Sequence, residues 1–210
     1  MELTQNVIPP LPLGLCVAAT QGTLGYMIQQ SMQNKLRNMD IDREVVTLVS
    51  QVIVSADDPQ FKNPQKFIGP RYTKKKAENL ATQFNWRIKE QTKGEWRRVV
   101  SSPMPEYIMH GKSIKALVDR GTIVISSGGG GIPVFNNING HLEGLDAVID
   151  KDFSAAKLGR IIRAQELWII TDIDSVYLNF GTKNQKRLSI TTKDQLEKYL
   201  KKGEFQKGSI

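Results

Sequence analysis

The stretch Thr122–Val134 reads TIVISSGGGGIPV, an apolar run followed by four consecutive glycines. The run Ile123–Ile125 is short and β-branched, which is typical of a buried strand in a parallel sheet. Glycines at the carboxyl end of such a strand let backbone N–H groups approach an anion closely, and open α/β sheets bind ligands at that end. The stretch therefore predicts an α/β fold with an anion site, although a plain glycine-rich turn is the alternative. The predicted loop consists of Gly128, Gly129, Gly130 and Gly131.

A spaced Asp150-Lys151-Asp152 follows the glycine loop, at the predicted start of an amphipathic helix Asp150–Ala164. A helix N-terminus carries unpaired N–H groups and a positive dipole, so it favours phosphate. Lys151 would add a full charge where phosphoryl oxygens become more negative, and the flanking carboxylates could hold Lys151 or a metal. This combination suits phosphoryl transfer, which depends on positioning and charge stabilisation. A surface lysine is the plain alternative. The sequence has no Walker G-x-x-x-x-G-K-[ST] motif, which excludes a P-loop kinase.

Composition places the chain among ordinary globular proteins, with 210 residues, 40% hydrophobic and 24% charged. The length suits one domain, or one domain with a small insert. No apolar stretch approaches the roughly 20 residues that span a bilayer, and the N-terminus has no basic region of a signal peptide. The single cysteine, Cys16, excludes an internal disulfide and fits a reducing compartment, so we expect a cytoplasmic protein. With two histidines and one cysteine, a zinc site is not expected.

The formal net charge of +8 raises the possibility of nucleic-acid binding. The basic residues are dispersed, however, and their short clusters stand beside acidic or aromatic residues. A solvated face or a site for an anionic small molecule explains them better.

Three parts of the chain differ in character. Because residues 3–15 are rich in proline, we expect them to form an extended lead-in. A helix is predicted next, with Thr20 as a plausible N-cap and an apolar stripe recurring at helical spacing through Leu36. Such a stripe usually faces the core, and a dimer seam is the alternative. Val45–Val54 predicts one central strand. Residues 55–105, rich in proline, predict an inserted subdomain with a helix, Lys74–Phe84, and a hairpin around Gly94.

From residue 106 onward, strands alternate with helices, which implies a parallel sheet with right-handed crossovers. We expect a helix Ser113–Arg120 ending at Gly121, a strand Thr122–Ser126 and a buried strand Leu167–Ile170. The polar turn Thr171–Tyr177 follows that last strand, and Thr191 caps a final helix Lys193–Leu200.

Together these motifs resemble the amino-acid-kinase superfamily and, within it, carbamate kinases. The resemblance rests on 128–134 (GGGGIPV), 144–152 (GLDAVIDKD) and 171–179 (TDIDSVYLN), and extends to 13–30, 63–72, 96–103 and 203–209. It covers essentially the whole chain. It implies a three-layer α/β/α core with a mostly parallel sheet at 1–54 and 106–210, and a protruding α+β lid subdomain at 55–105.

The resemblance also implies a reaction: reversible phosphoryl transfer between carbamoyl phosphate and ADP, giving ATP and carbamate, with Mg²⁺. It implies a cytoplasmic homodimer of arginine catabolism with no nucleic-acid or membrane partner. Lys151 matches the lysine that contacts the transferred phosphoryl group, Asp152 the acid that orients the site lysines, and Lys66 the lysine lent by the lid, although a solvated loop lysine is the alternative. The residues that match the nucleotide pocket are Thr171, Asp172, Val176 and Tyr177. No residue is assigned as a dedicated metal ligand.

Several family features have no match in these 210 residues. They are an early Gly-Gly-Asn phosphate loop, a Ser-Gly-Asn-Gly-Pro segment and a Gly-Pro-Lys turn carrying a third lysine. The lid turn Glu90–Glu95 also differs from the glycine- and arginine-rich turn expected. Three interpretations therefore stay open: a carbamate kinase in truncated or split form, a non-catalytic relic that binds nucleotide and dimerises, and another amino-acid kinase.

Overall fold

The computed structural model of the chain describes residues 11–205. Two compact units divide the chain, the first extending to Leu167 and the second beginning at Trp168. In the described residues no helix combines the length and apolar character needed to cross a bilayer. The α-helices are α1 Leu13–Asn38, α2 Lys74–Phe84, α3 Gly111–Asp119, α4 Lys151–Ile162 and α5 Lys193–Lys201. The strands are β1 Val45–Thr47, β2 Gln51–Ile53, β3 Lys66–Tyr72, β4 Arg87–Thr92, β5 Glu95–Val100, β6 Tyr107–Ile108, β7 Ile123–Ile125, β8 Ile132–Asn136, β9 Leu142–Gly144, β10 Val176–Leu178 and β11 Lys186–Leu188.

The core strands of the first unit form mixed sheets. β1 pairs with β7 in parallel, and β2 pairs with β8 in parallel. β6 adds antiparallel to β2, and β9 adds antiparallel to β8. Helix α1 packs on β1 and β8, whereas α3 and α4 pack on each other, α3 against β7 and α4 against β6. A cluster of fully buried aliphatic side chains fills the space between: Val52, Val54, Ile108, Ile114 and Ile149.

The single strand predicted over Val45–Val54 is wrong, because the chain changes partner in the middle of it. The Leu48 N–H donates to the Ile125 carbonyl, which ends the ladder with β7. The Ile132 N–H then donates to the Ser50 carbonyl, which begins the ladder with β8. Since the glycine turn separates β7 from β8, the segment pairs with each in succession and breaks at residues 48–50.

Helix α1 differs from expectation in its start and in its inward face. It begins at Leu13, seven residues before the predicted N-cap Thr20, so the extended lead-in predicted over residues 3–15 is wrong over 13–15, while its residues 3–10 lie outside the described part of the chain. The apolar stripe is not core, since Leu24 and Met27 are each more than half exposed. Glutamines face the sheet instead: Gln29 and Gln33 accept hydrogen bonds from Thr47 N–H and Val45 N–H, both 3.0 Å. These amides satisfy the edge of β1 that faces away from β7.

Residues 55–105 form their own small sheet, in the order β3-β5-β4, with helix α2 packed on it. The predicted helix Lys74–Phe84 is confirmed in its bounds, and the predicted hairpin is confirmed as β4 and β5. A separate hydrophobic cluster of Tyr72, Ala77 and Leu80 supports the sheet. The role of this segment as a lid stays a prediction.

The second unit contains β10, β11 and α5. β10 pairs antiparallel with β11, and Thr192, not the predicted Thr191, caps α5 in a capping box with Gln195. The buried strand predicted over Leu167–Ile170 is wrong: Trp168 is 81% exposed and Ile170 92% exposed. No strand in residues 11–205 pairs with this segment, so its apolar side chains have no sheet to join.

Candidate active site

The glycine loop is a single 3₁₀ turn, Gly128–Gly130, that connects β7 to β8. The Gly130 N–H donates to the Ser127 carbonyl at 3.0 Å, and the Gly131 N–H donates to the Gly128 carbonyl at 3.2 Å. Three consecutive glycines, from Gly129 to Gly131, have φ of 65°, 93° and 95°. Residues other than glycine rarely adopt these backbone angles, because their Cβ clashes with the backbone.

Close packing demands glycine at two of these positions as well. A Cβ on Gly130 would lie 2.3 Å from the Ile149 carbonyl oxygen, and one on Gly131 would lie 2.2 Å from Val52 Cγ2. Gly129 has no such neighbour within 4 Å and is exposed. The loop is therefore packed against β2 and against the irregular segment that leads into α4, and it is open at its tip.

The N-terminus of α4 carries the predicted Asp150-Lys151-Asp152. Asp150 is the N-cap: its Oδ1 accepts a hydrogen bond from Asp152 N–H at 3.0 Å. Its other oxygen accepts from Lys66 Nζ at 3.1 Å, across 84 positions of sequence. The Lys151 ammonium lies 3.0 Å from Asp152 Oδ1 and is exposed. The first unit thus brings Lys66, Lys151 and Asp152 to one helix end, which an incoming anion could reach.

Electrostatics favour the ionised form of Asp150. Its partial burial by itself would raise the pKa of the carboxyl. The Asp152 N–H, the hydrogen bond and charge of Lys66, and the charge of Lys151 outweigh that effect and hold the pKa below its ordinary value of 3.8. Asp150 therefore keeps Lys66 paired near neutral pH and fixes it at the helix end.

Three residues at this site were not singled out as site residues by the sequence. Asp150 contacts Lys66, a role that the family resemblance placed on Asp152. Gln21 Nε2 donates to the Gly128 carbonyl at 2.9 Å, and Ser154 Oγ donates to the Gly130 carbonyl at 2.6 Å. The spacing of Gln21, Gln29 and Gln33 on one face of a helix was a usable signal, because such a row can hydrogen-bond a strand edge.

The residues assigned to nucleotide binding lie in the second unit. Thr171 Oγ1 donates to Asp172 Oδ1 at 3.3 Å, and Val176 opposes Leu188 in the two-stranded ladder. The Tyr177 hydroxyl lies 3.1 Å from both carboxylate oxygens of Asp174. Desolvation first, and then the Asp174 carboxylate, raise the pKa of Tyr177 above 10.0. The strand expected to present this turn is absent, so its assignment rests on the sequence motif.

A profile of the amino acid kinase family matches residues 26–210. The chain belongs to the amino acid kinase family. The curated relatives that it resembles include carbamate kinases. It is 44% identical to carbamate kinase of Pyrococcus horikoshii over 97% of this chain and 64% of that protein. With carbamate kinase of Thermococcus kodakarensis, identity is 43% over 100% of this chain and 67% of that protein. The chain therefore spans about two thirds of the length of these relatives.

Solved structures agree with the fold. A carbamate kinase from Giardia lamblia bound to AMP-PNP superposes with a TM-score of 0.87 at 33% identity, covering 99% of this chain and 66% of that one. A crystal structure from Aeropyrum pernix gives a TM-score of 0.89 at 35% identity, covering 97% and 65%. The predicted α/β class and the resemblance to carbamate kinases are confirmed.

Proposed function

We propose that the chain carries the phosphoryl-transfer site of a carbamate kinase. The reaction would be the reversible transfer of a phosphoryl group between carbamoyl phosphate and ADP, giving ATP and carbamate. The observation that carries this proposal is the meeting of Lys66 and Lys151 at the N-terminus of α4, with Lys66 held 3.1 Å from the helix cap Asp150. Two lysines and a helix dipole at one point suit an oxygen-rich anion whose charge rises during transfer.

Each residue has a distinct proposed role. Lys151 would contact the transferred phosphoryl group and stabilise its developing charge. Lys66 would exchange its bond to Asp150 for one to the substrate, and Asp152 would orient Lys151. The loop Gly128–Gly131 would receive the phosphate or carboxylate end of the substrate through backbone N–H groups.

Nucleotide would bind through Thr171, Asp172, Val176 and Tyr177, the turn that resembles the nucleotide pocket of carbamate kinases. The AMP-PNP complex of the Giardia lamblia relative supports ATP or ADP as the ligand class. Calorimetry with ADP, and with GDP as the control, tests this. We expect a binding heat with ADP, of weak affinity, and none with GDP. A folded sample that gives no binding heat with either nucleotide contradicts the assignment.

Mg²⁺ would arrive with the nucleotide and neutralise phosphate charge. In residues 11–205 no group of three or more His, Cys, Asp or Glu side chains is placed to share a metal ion. Mg²⁺ commonly keeps several waters and takes one or two carboxylates plus substrate phosphates. The residues present therefore fit an ion carried on phosphate oxygens, and we assign no dedicated ligand.

We further propose an oligomeric state and a metabolic role for the chain. The exposed apolar residues of α1, among them Leu24, Met27 and Ile28, would form the seam of a homodimer. The family resemblance further suggests arginine catabolism in the cytoplasm.

A non-catalytic, nucleotide-binding role is the second candidate. The observation that favours it is the exposure of the segment before the proposed nucleotide turn, where Trp168 is 81% exposed and Ile170 92% exposed. ADP binding without any ATP formation from carbamoyl phosphate would select this candidate, whereas slow ATP formation that depends on Lys151 would select the enzyme.

A further inference from the structure

The carbonyl groups of the glycine loop are held by side chains from two helices. Gln21, on α1, donates from Nε2 to the Gly128 carbonyl at 2.9 Å. Ser154, on α4 and fully buried, donates from Oγ to the Gly130 carbonyl at 2.6 Å. Both donors act on carbonyl oxygens, so both fix the orientation of a peptide group in the loop.

Both polar atoms of the Gln21 amide are buried and hydrogen-bonded. The side chain is buried, with 6% of the residue exposed. Its Oε1 accepts from Ser50 N–H at 2.7 Å, and its Nε2 also lies 3.3 Å from the Ser50 carbonyl. Ser50 Oγ in turn accepts from Ser127 N–H at 3.0 Å, at the residue that precedes the loop. Gln21 therefore links the break between β1 and β2, at Ser50, to the start of the glycine loop. It bonds the Gly128 carbonyl directly, and it bonds Ser50, which in turn bonds the Ser127 N–H.

The direction of the Gly128 carbonyl decides where one N–H of the loop points. In a trans peptide the carbonyl and the N–H of the next residue point in opposite directions, and this chain has no cis peptide among the described residues. With the Gly128 carbonyl turned toward Gln21, the Gly129 N–H is turned away from α1. Gly129 is the exposed tip of the loop, whereas the N–H groups of Gly130 and Gly131 are already used inside the turn.

We propose that Gln21 is a positioning residue for anion binding: by holding the Gly128 carbonyl, it aims the Gly129 N–H outward at the anionic substrate. The proposal rests on the function proposed above, in which this loop receives phosphate or carboxylate oxygens. Its neighbours on α1 differ in this respect. Within residues 11–205, Gln29 and Gln33 bond to backbone groups at or before β1 and not to the loop.

The matched variants are Gln21→Met, Gln21→Glu and Gln29→Met in the full chain. Gln21→Met removes every polar contact of the side chain at similar volume. Gln21→Glu keeps an acceptor for Ser50 N–H but replaces the donor to Gly128 with a carboxylate oxygen. Gln29→Met removes one bond to the strand edge, so it controls for general loosening of α1. Glycine amides labelled with ¹⁵N report on the loop, with Gly129 assigned from the signal lost in Gly129→Ala.

Two readouts are measured: hydrogen exchange of the loop amides without ligand, and titration with inorganic phosphate. In the unsubstituted chain, phosphate should shift the Gly129 amide more than that of the distant Gly94. Both Gln21 variants should exchange loop amides about tenfold faster and bind phosphate about tenfold more weakly, since losing a buried donor matters by this order. Gln29→Met should stay within about twofold of the unsubstituted chain in both readouts.

The outcomes separate this proposal from the proposed function. Loop exchange unchanged in a folded Gln21 variant overturns the positioning role, as does phosphate binding that leaves Gly129 unshifted in the unsubstituted chain. If no phosphate binds at all, the proposed function fails, while the exchange comparison still decides whether Gln21 orders the loop. If both Gln21 variants fail to fold, the unsubstituted chain decides: phosphate binding that shifts the Gly129 amide supports the outward N–H, and binding that leaves it unshifted overturns the proposal.

Discussion

At the scale of single residues, Asp150 does two jobs that can be separated. It caps α4 through Asp152 N–H and it pairs with Lys66. Asn is also a good N-cap, so Asp150→Asn should lose only the ion pair, which at this exposure is worth about 0.2–1 kcal/mol. Asp150→Ala should lose the cap as well, about 1 kcal/mol more. Urea unfolding at pH 7 measures both, and equal losses in the two variants would contradict the division.

The pH dependence of the Asp150 contribution has a definite sign. Folding lowers the pKa of this carboxyl below 3.8, so its stabilising effect is fully present above that pH. The effect is lost as pH falls through the lower pKa of the folded state. The stability difference between the unsubstituted chain and Asp150→Asn should therefore shrink steadily below pH 3.8. A difference that grows on acidification would mean that the carboxyl is not stabilised in its charged form.

At the scale of elements, two glycines of the loop are required for different reasons: Gly129 for its φ alone, and Gly130 for its φ and for close packing. A Cβ at Gly130 would meet the Ile149 backbone carbonyl at 2.3 Å, whereas one at Gly129 would meet nothing within 4 Å. Gly129→Ala should lose only the cost of its left-handed φ, about 1–2 kcal/mol. Gly130→Ala should lose about 1–3 kcal/mol beyond that through overpacking. Urea unfolding of the pair tests this, and equal stability of the two variants would show that the contact relaxes.

The sequence predicted elements well where the signal is local. Helix α2, the hairpin of β4 and β5, and Gly121 (φ 88°) after α3 follow from spacing and turn residues alone. The errors arose where partners far along the chain decide the outcome. The burial of Gln21 depends on Ser50 and Gly128, and the break in Val45–Val54 depends on two different neighbours. Trp168 is exposed where a buried strand was predicted.

The same distinction holds for the candidate site. The glycine loop, Lys151 and Lys66 came from motifs, which preserve residue type and order. That Asp150 holds Lys66 across 84 positions is a fact of tertiary packing that no local pattern contains.

At the scale of the whole molecule, the exposed apolar stripe of α1 predicts self-association. Sedimentation at micromolar concentration should give about twice the monomer mass of 23.6 kDa. The double change Leu24→Glu and Met27→Glu should produce monomer, because it places charges in the buried seam. Gln30→Glu, which lies outside the stripe on the same helix, should leave the dimer intact. A clean mass of 23.6 kDa for the unsubstituted chain would contradict the dimer.

We propose that these residues carry a carbamate-kinase site, and that the 210-residue chain alone completes it only in part. This proposal is tested most directly by ATP formation from ADP and carbamoyl phosphate in a coupled assay, comparing the chain, its Lys151→Ala variant and a full-length carbamate kinase. Each preorganised donor is worth about 10²–10³ in rate, and two phosphate-binding elements of the family have no match here. We therefore expect a rate on the order of 10⁴ below that of the complete enzyme, falling to background in Lys151→Ala. Roughly tens of turnovers per second from this chain alone, or a rate that Lys151→Ala leaves unchanged, would contradict the account.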